Sequence, residues 1–437
     1  LVVRLDAVIV GGGVVGLYTA LDLSMRGFKV ALIERSYVGS GTSGRMHGLL
    51  HSGARYVVRD PAAALECMQE NDVISMVAPH AVENTGGYFV ALDGDDVEYQ
   101  EEFLRSLRRV GIWHRVLDPG EALKEEPFLS PRARLVVEVP DKVVYAGDML
   151  ASIALTAFSE GALVLEQAEL YGIEISGGLV ESAIVMDRSS GEVRRLRTQA
   201  LVNAAGPWAG RVAGMAGVEL EVMPTAGVMA VYPRRLTRRV INRLRPPSDG
   251  DIVVPYHGVS VAGTTAKVIE DPDSVSIEDE DLEILSSEAS QMIPALSGMR
   301  ISRSYYSVRP LIKTESSKPS REATRDFKIY THSKPSNMVS AIGGKFTTGR
   351  LVAEKLSDAT SELLGSSKSS ITKDKRLLGN DFEELVEALR SSESSWIVER
   401  LRAHSSTLDW ERLRGAVLSI SVSLISIESR KILGWYR

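Results

Sequence analysis

Residues 5–16 constrain the fold more than any other stretch: the apolar run ending in Val8-Ile9-Val10 goes directly into Gly11-Gly12-Gly13-Val14-Val15-Gly16, and residues 17–25 follow with an apolar helical pattern. This is strand, glycine turn, helix. Gly11 makes the tight turn, Gly13 lets the backbone approach a pyrophosphate, and Gly16 permits close packing of helix on strand. Gly27 ends the helix, residues 29–33 supply a second buried parallel strand, and Glu34 closes it 18 residues after Gly16. A carboxylate at that place accepts hydrogen bonds from a ribose diol and repels a 2'-phosphate, which favours FAD or NAD over NADP. The chain is therefore read as α/β, with a Rossmann-like βαβ unit at its start.

The following residues separate the two cofactors. In NAD enzymes a further βαβ repeat usually comes next, whereas here a Gly/Ser/Thr loop over residues 39–44 leads into Thr42-Ser43-Gly44-Arg45-Met46-His47-Gly48-Leu49-Leu50-His51-Ser52-Gly53-Ala54-Arg55-Tyr56. Two histidines, two arginines and a tyrosine in that short span suit neither a buried element nor a plain surface loop. They suit a place where an anion meets a permanently held flavin. The 437 residues, 44% of them hydrophobic, are enough for two or three domains. Cys67 is the single cysteine, which excludes a disulfide framework, a thiolate zinc cage and a chain-held iron-sulfur cluster; no metal site is expected. A formal charge of −6 argues against nucleic acid as a partner. The exception is a basic cluster, Arg234, Arg235, Arg238, Arg239, Arg243 and Arg245, read as a solvated helix face with scattered ion pairs; attraction to anionic lipid or a phosphorylated substrate is the sharper alternative. No apolar run approaches the roughly 20 residues that cross a bilayer, and no signal peptide is visible, so a cytoplasmic protein is expected, at most peripheral on a membrane face.

Three later motifs carry chemistry. Residues 201–206 form a buried strand ending in small residues that admit a nucleotide. Gly343-Gly344-Lys345-Phe346-Thr347-Thr348 lies between an apolar strand at 338–342 and a helix starting near Arg350, an arrangement that gathers amides and the helix dipole around negative charge. Arg309 precedes Pro310 and is held extended, and Arg55 and Arg309 are each either a surface ion pair or part of a bidentate phosphate grip.

Taken together, Gly44 through Tyr56, Val202-Asn203-Ala204-Ala205-Gly206-Pro207-Trp208, Val240-Ile241-Asn242-Arg243 with Pro247-Ser248-Asp249, Gly263-Thr264-Thr265, Tyr306-Ser307-Val308-Arg309-Pro310-Leu311 and the 343–348 loop resemble the FAD-dependent glycerol-3-phosphate dehydrogenases, within the D-amino-acid-oxidase-like flavoproteins. The catalytic subunits of the anaerobic respiratory enzymes are the nearest branch, and the likeness covers roughly residues 5–365. It implies a discontinuous Rossmann-like FAD-binding domain (1–80, 141–215 and 326–365) and an antiparallel-sheet substrate domain (81–140 and 216–325); beyond the likeness, the C-terminal segment, 366–437, is read from its own sequence as a small cap or as a dimer or partner dock. The likeness implies oxidation of sn-glycerol 3-phosphate to dihydroxyacetone phosphate, with electrons passed to a quinone or a membrane-anchoring partner; a homodimer is compatible with it.

The same resemblance implies FAD contacts from Gly11, Gly13, Val14, Val15, Gly16, Glu34, Arg35, Thr42, Ser43, Gly44, Arg45, His47, Gly48, Leu170, Ala205, Gly206, Gly343, Gly344, Lys345, Phe346, Thr347 and Thr348. Substrate would be held by Arg55, Tyr56, Arg309, Arg325 and Lys345, with His51 as general base and Arg309 also catalytic. An imidazole suits removal of a hydroxyl proton near neutral pH; His47 is read as packing against the ring or orienting the loop, and His257 as a second candidate base. The chain departs from the family pattern at three places: Ala226 replaces a lysine, Tyr145-Ala146 replaces an Asp-Pro pair, and the tail carries no cysteine. That tail has helical signals at 381–390 and 395–402, and a partial apolar/serine alternation at 417–427 that fits a strand without excluding a helix. The alternatives are an oxygen-using oxidase on the same fold and a non-catalytic flavin-binding interaction protein.

Overall fold

A computed structural model describes residues 4–313, 326–381, 383–385, 387 and 410–435. Strand β1 (Arg4–Val10) enters the glycine turn and helix α1 (Val14–Met25) leaves it, three residues earlier than the apolar pattern alone suggests. Gly13 is the extended N-cap, so the glycine turn winds straight into the first helical turn. The glycines are demanded by space: a Cβ on Gly16 would stand 1.9 Å from the Gly11 carbonyl oxygen, and Gly11 itself has φ +113°. Leu17, Tyr18, Leu21 and Leu23 are fully buried, which makes α1 a core helix between the sheet and its neighbours.

β1 lies at the centre of an eight-stranded sheet. It pairs in parallel with β2 (Val30–Ile33) on one side and with Val193–Asn203 on the other; Leu163–Leu165 extends the parallel set beyond β2, and Met338–Gly343 extends it beyond Val193–Asn203. Antiparallel strands Ala168–Ser176, Leu179–Asp187 and Phe327–Thr331 complete it. A second, nine-stranded sheet is built from Gly87–Leu92, Ala133–Val139, Arg115–Leu117 and the strands between Val222 and Ile312; its strands pair antiparallel except where Val240–Arg243 runs parallel to Gly87–Leu92. The first sheet thus draws on residues 4–33, 163–203 and 327–343, and the second on 87–139 and 222–312. The α/β class with a Rossmann-like sheet beside an antiparallel one is the architecture expected.

The apolar/serine tail is a helix, Trp410–Ile432, not a strand. Its alternation misleads because some of the serines belong to the buried face: Val417, Leu418, Ser421, Val422, Ile425, Ser426 and Ser429 are all buried at helical spacing, while Ser419 is exposed. They cover the sheet edge at Leu163–Leu165, where Ser429 Oγ accepts from Val164 N at 3.0 Å and Ser426 Oγ from Glu166 N at 2.8 Å. An edge strand otherwise presents unpaired amides, and the hydroxyls satisfy them. Of the two helical signals, 381–390 is half described, with residues 383–385 and 387 helical, and 395–402 lies outside the described residues.

The basic cluster also differs from expectation. No helix carries it; Arg243 ends a strand, and four of the six arginines turn to internal carboxylates: Arg235 to Glu83 (2.7 Å), Arg239 to Glu125 (2.7 Å), Arg243 to Asp95 (2.6 Å) and Arg245 to Asp251 (2.8 Å). These pairs tie the segment to Glu83 ahead of Gly87–Leu92, to the helix Pro119–Glu125 and to neighbouring loops, while Arg234 and Arg238 stay exposed. Among the described residues, no helix is long and apolar enough to cross a membrane.

Candidate active site

A cavity of about 800 Å³ opens between the two sheets. Its floor is the glycine turn, with Gly11, Gly12, Gly13, Val14 and Val15 exposed to it, and Glu34 stands at one end. Glu34 is already oriented, since Oε2 accepts from Gly12 N and Oε1 from Ser36 N, both at 2.8 Å. Each carboxylate oxygen keeps a lone pair for a further donor such as a hydroxyl. Leu170, Ala205 and Gly206 line the same end, together with Trp208 from the 202–208 block and with Arg211 and Asp273, which the sequence did not single out. Arg35 lines it too, with its guanidinium 4.3 Å over the Trp208 ring.

Thr42, Ser43, Arg45 and His47 line the middle of the cavity, while Gly44, Gly48 and Gly16 support it from behind. Ser43 Oγ accepts from Val14 N at 3.0 Å, tying this loop to the start of α1. A Cβ on Gly44 would lie 2.2 Å from Gly39 O, and one on Gly48 would lie 2.4 Å from the Tyr256 ring. His47 Nδ1 accepts from Leu49 N at 3.1 Å, so the neutral ring carries its proton on Nε2.

The far end gathers residues from four separated segments. His51 follows the short strand Leu49–Leu50, is buried, and tilts against Tyr56 with ring centroids 5.1 Å apart. The bend is held from beneath: Ser52 donates to Asp141 Oδ1 through its N–H (2.7 Å) and its hydroxyl (2.8 Å), and Asn242 Nδ2 donates to Asp141 Oδ2 (3.1 Å). Gly53, at φ +93°, then seats the chain on helix α2 (Pro61–Val77), where a Cβ would strike the Ala64 carbonyl oxygen at 2.1 Å. Arg55 lines the cavity while its Nη2 meets the fully buried Asp251 at 3.1 Å, so part of its guanidinium is occupied and fixed. Lys345 Nζ stands 4.7 Å over the Tyr56 ring, a cation–π placement.

Arg309 comes from Arg303–Ile312 in the second sheet. Its Nη2 donates to Thr264 Oγ1 and, at 3.1 Å, to Thr265 O. Gly227 on the paired strand makes the room, because a Cβ there would lie 2.5 Å from Arg309 Nη2. Strand alternation places Gly227 on the cavity and Ala226 on a smaller separate pocket, so the residue that replaces a family lysine faces away from the cleft. His257, the second candidate base, is off the cavity and stacked on Tyr145 at 3.9 Å. Arg325 lies outside the described residues.

The 343–348 loop brings Gly343, Gly344, Lys345, Phe346 and Thr347 to the cavity, whereas Thr348 stays behind it and closes the turn by accepting from Lys345 N at 3.1 Å. The Lys345 amide is therefore taken. What this part of the loop offers a ligand is the Lys345 side chain and the Thr347 hydroxyl, whose Oγ1 is buried without a hydrogen-bond partner among the described residues. An unsatisfied buried hydroxyl facing a cavity, glycines that leave no room for side chains around a pyrophosphate-sized floor, and a pre-oriented carboxylate fit a dinucleotide such as FAD. The signals missed in the sequence, Asp141, Asp251, Gly227 and Asp273, lie far along the chain from the groups they serve.

Comparison with known proteins agrees with this geometry. The family described as "DAO: FAD dependent oxidoreductase" matches residues 6–359. The chain is 37% identical over 391 residues to a subunit of the anaerobic glycerol-3-phosphate dehydrogenase of Haloferax volcanii, covering 86% of this chain and 67% of that one. It is 36% identical over 380 residues to the corresponding subunit of the Escherichia coli K12 enzyme, covering 86% and 70%. Among solved structures, the glycerol-3-phosphate dehydrogenase of Bacillus halodurans complexed with FAD aligns with a TM-score of 0.69 at 22% identity, covering 99% of this chain and 77% of that one. The L-α-glycerophosphate oxidase of Mycoplasma pneumoniae aligns with a TM-score of 0.68 at 20% identity, covering 84% and 96%. The chain therefore belongs to the DAO family of FAD-dependent oxidoreductases, and FAD is its cofactor.

Proposed function

We propose that this protein oxidises sn-glycerol 3-phosphate to dihydroxyacetone phosphate. The observation that carries the reading is the far end of the cleft, where Arg55, Arg309 and Lys345 line the wall together with the buried His51. Three cations at one end of a cleft match a phosphate dianion, and the adjacent imidazole matches a hydroxyl that must lose its proton. The relatives named above for glycerol-3-phosphate dehydrogenase supply the substrate class.

In this reading Gly11, Gly13, Glu34, Ala205 and Gly206 hold the nucleotide half of FAD, and Ser43, Arg45 and the 343–347 loop hold the flavin half. FAD held there would supply the two-electron acceptor for the hydride that leaves the carbinol carbon. Arg309 is pre-aimed by Thr264 and Thr265, and its planar fork suits a pair of phosphate oxygens. Arg55 is fixed in the same way by Asp251, which lowers the entropy lost when it grips substrate. Lys345, parked on Tyr56, adds the third charge, and Tyr56 packs against the general base. The substrate hydroxyl proton passes to the His51 imidazole as the carbinol carbon is oxidised. Burial keeps bulk water from competing for that imidazole.

The electron acceptor we assign is a quinone, reached directly or through a partner at the cytoplasmic membrane face. The anaerobic character that those relatives' names carry supports an acceptor other than oxygen. The test is formation of dihydroxyacetone phosphate from sn-glycerol 3-phosphate with a soluble quinone analogue under nitrogen. Turnover with the phosphate ester and none with glycerol is expected. Equal turnover of both would overturn the phosphate assignment, and stoichiometric peroxide in air in place of quinone reduction would overturn the acceptor.

A further inference from the structure

The loop between Lys267–Val268 and the helix Asp279–Met292 belongs to the second sheet, yet its Asp273 reaches across the cleft to the first. Both carboxylate oxygens are fully used there. Oδ1 accepts from Arg35 Nη2 (2.6 Å) and from Trp208 Nε1 (3.0 Å); Oδ2 accepts from Arg35 Nη1 (3.3 Å) and Arg211 Nη1 (2.6 Å). Asp271 completes the arrangement, accepting from Asp273 N at 2.8 Å and pairing with Arg211. Arg35 follows Glu34 at the end of β2, and Trp208 and Arg211 follow the small-residue turn at Ala205-Gly206. The partners on the first sheet thus come from the two segments that flank the Glu34 end of the cleft, and Arg35, Trp208, Arg211 and Asp273 themselves form part of its wall.

We propose that Asp273, with Arg35, Trp208 and Arg211, is a clasp that closes the nucleotide end of the FAD cleft and sets the rate at which the cofactor leaves. A carboxylate shared by two guanidiniums and an indole joins the sheets only while the loop lies over the cleft. FAD leaving past this wall requires those bonds to part. Asp273 remains ionised throughout the working pH range, because its hydrogen bonds to Arg35 hold the carboxyl at about 2. The clasp is accessible to ions: the side chains of Arg35, Asp273 and Arg211 are 36%, 39% and 47% exposed, so mobile ions screen it. Tight binding of FAD in low salt and faster release in high salt follow from the same contacts. The Glu34 carboxylate and the glycine turn give affinity; the clasp gives residence time.

The experiment measures FAD release and not turnover, so it is independent of the substrate assignment. FAD-loaded protein is diluted with an excess of a flavin-trapping apoprotein, and the transfer of flavin to the trap is followed at low and high potassium chloride. Asp273→Asn and Asp273→Ala are expected to release FAD faster by roughly tenfold at low salt, with a shallower salt dependence, the Arg211–Asp271 pair being the part that remains. Arg211→Gln, which leaves Asp273 its bonds to Arg35 and Trp208, should fall between wild type and Asp273→Ala, and adding it to Asp273→Ala should speed release a little further, because it also removes the Arg211–Asp271 pair. Wild-type release rates in both Asp273 variants, or a salt dependence in them as steep as the wild type's, would overturn the proposal. If Asp273→Ala fails to load FAD, Asp273→Asn and Arg211→Gln decide the matter by the same readout.

Discussion

Replacing Asp141 separates a carboxylate that fills space from one that holds the His51 bend. It is 2% exposed and accepts three hydrogen bonds, two from Ser52 and one from Asn242. Asp141→Ala leaves three buried donors without an acceptor. Each orphaned donor costs about 1–3 kcal/mol, and because the three share one group the total is about 3–5 kcal/mol. Asp141→Asn is far milder. Its Oδ1 still serves both Ser52 donors, and its new amide meets Asn242, whose own Oδ1 lacks a partner among the described residues and can turn to accept. We expect a cost of about 1 kcal/mol for this variant. Since Ser52 adjoins His51, freeing the bend should also displace the imidazole, and misplacement by about 1 Å slows chemistry about 10²-fold. Urea unfolding and the rate of substrate-driven flavin reduction, measured on both variants, give the two numbers. Equal stability and equal reduction rates for the two variants would refute the reasoning, as would a wild-type rate in Asp141→Ala.

Other expectations follow from the same structure. His51→Asn should keep FAD bound, seen as an unchanged visible absorbance per chain, while flavin reduction slows by about 10²–10⁴-fold. Arg309→Lys keeps the charge but loses the fork held by Thr264 and Thr265, so KM for sn-glycerol 3-phosphate should rise about tenfold or more in steady-state assays. Gly16→Ala should yield protein without flavin absorbance, because the new methyl would stand 1.9 Å from Gly11 O. His80, buried against Ser152 Oγ at 2.8 Å, is depressed to about 4 by burial first and then by Arg414 and Arg376. The folded chain then binds fewer protons than the unfolded one between about pH 4 and 6.5, so the contribution of His80 is full above that window and lost as pH falls through it. The stability difference between wild type and His80→Gln should shrink toward acid by up to about 1.4 kcal/mol per pH unit in urea titrations.

The residues that were legible in the sequence are those whose partners lie close by along the chain. Gly11, Gly13 and Gly16 could be read because strand, turn and helix follow one another, and Glu34 because the second strand fixes where it falls. The 343–348 loop could be placed on the cleft for the same reason, although its Lys345 amide turned out to be used by Thr348. Most pairings of the arginines from Arg235 to Arg245 could not be read: Glu83, Glu125, Asp95 and Glu288 lie tens to well over a hundred residues away, and only the Arg245–Asp251 pair is local. Asp273 was invisible for the same physical reason, since an acidic residue in an exposed loop shows no sign of crossing to another sheet. The serines after Val417 gave a period that fits a strand, because hydroxyls that satisfy a sheet edge look like a solvent-facing stripe until the edge is known. Gly227 carries a related lesson, as its meaning is the guanidinium of Arg309 on the neighbouring strand.

Anaerobic mixing of the FAD-loaded protein with sn-glycerol 3-phosphate tests the central claim most directly, because flavin absorbance reports the reaction before any acceptor is involved. The account predicts that the flavin band bleaches with one equivalent of dihydroxyacetone phosphate formed per flavin, and that glycerol leaves it unchanged. A flavin that dithionite reduces but sn-glycerol 3-phosphate leaves oxidised would contradict it.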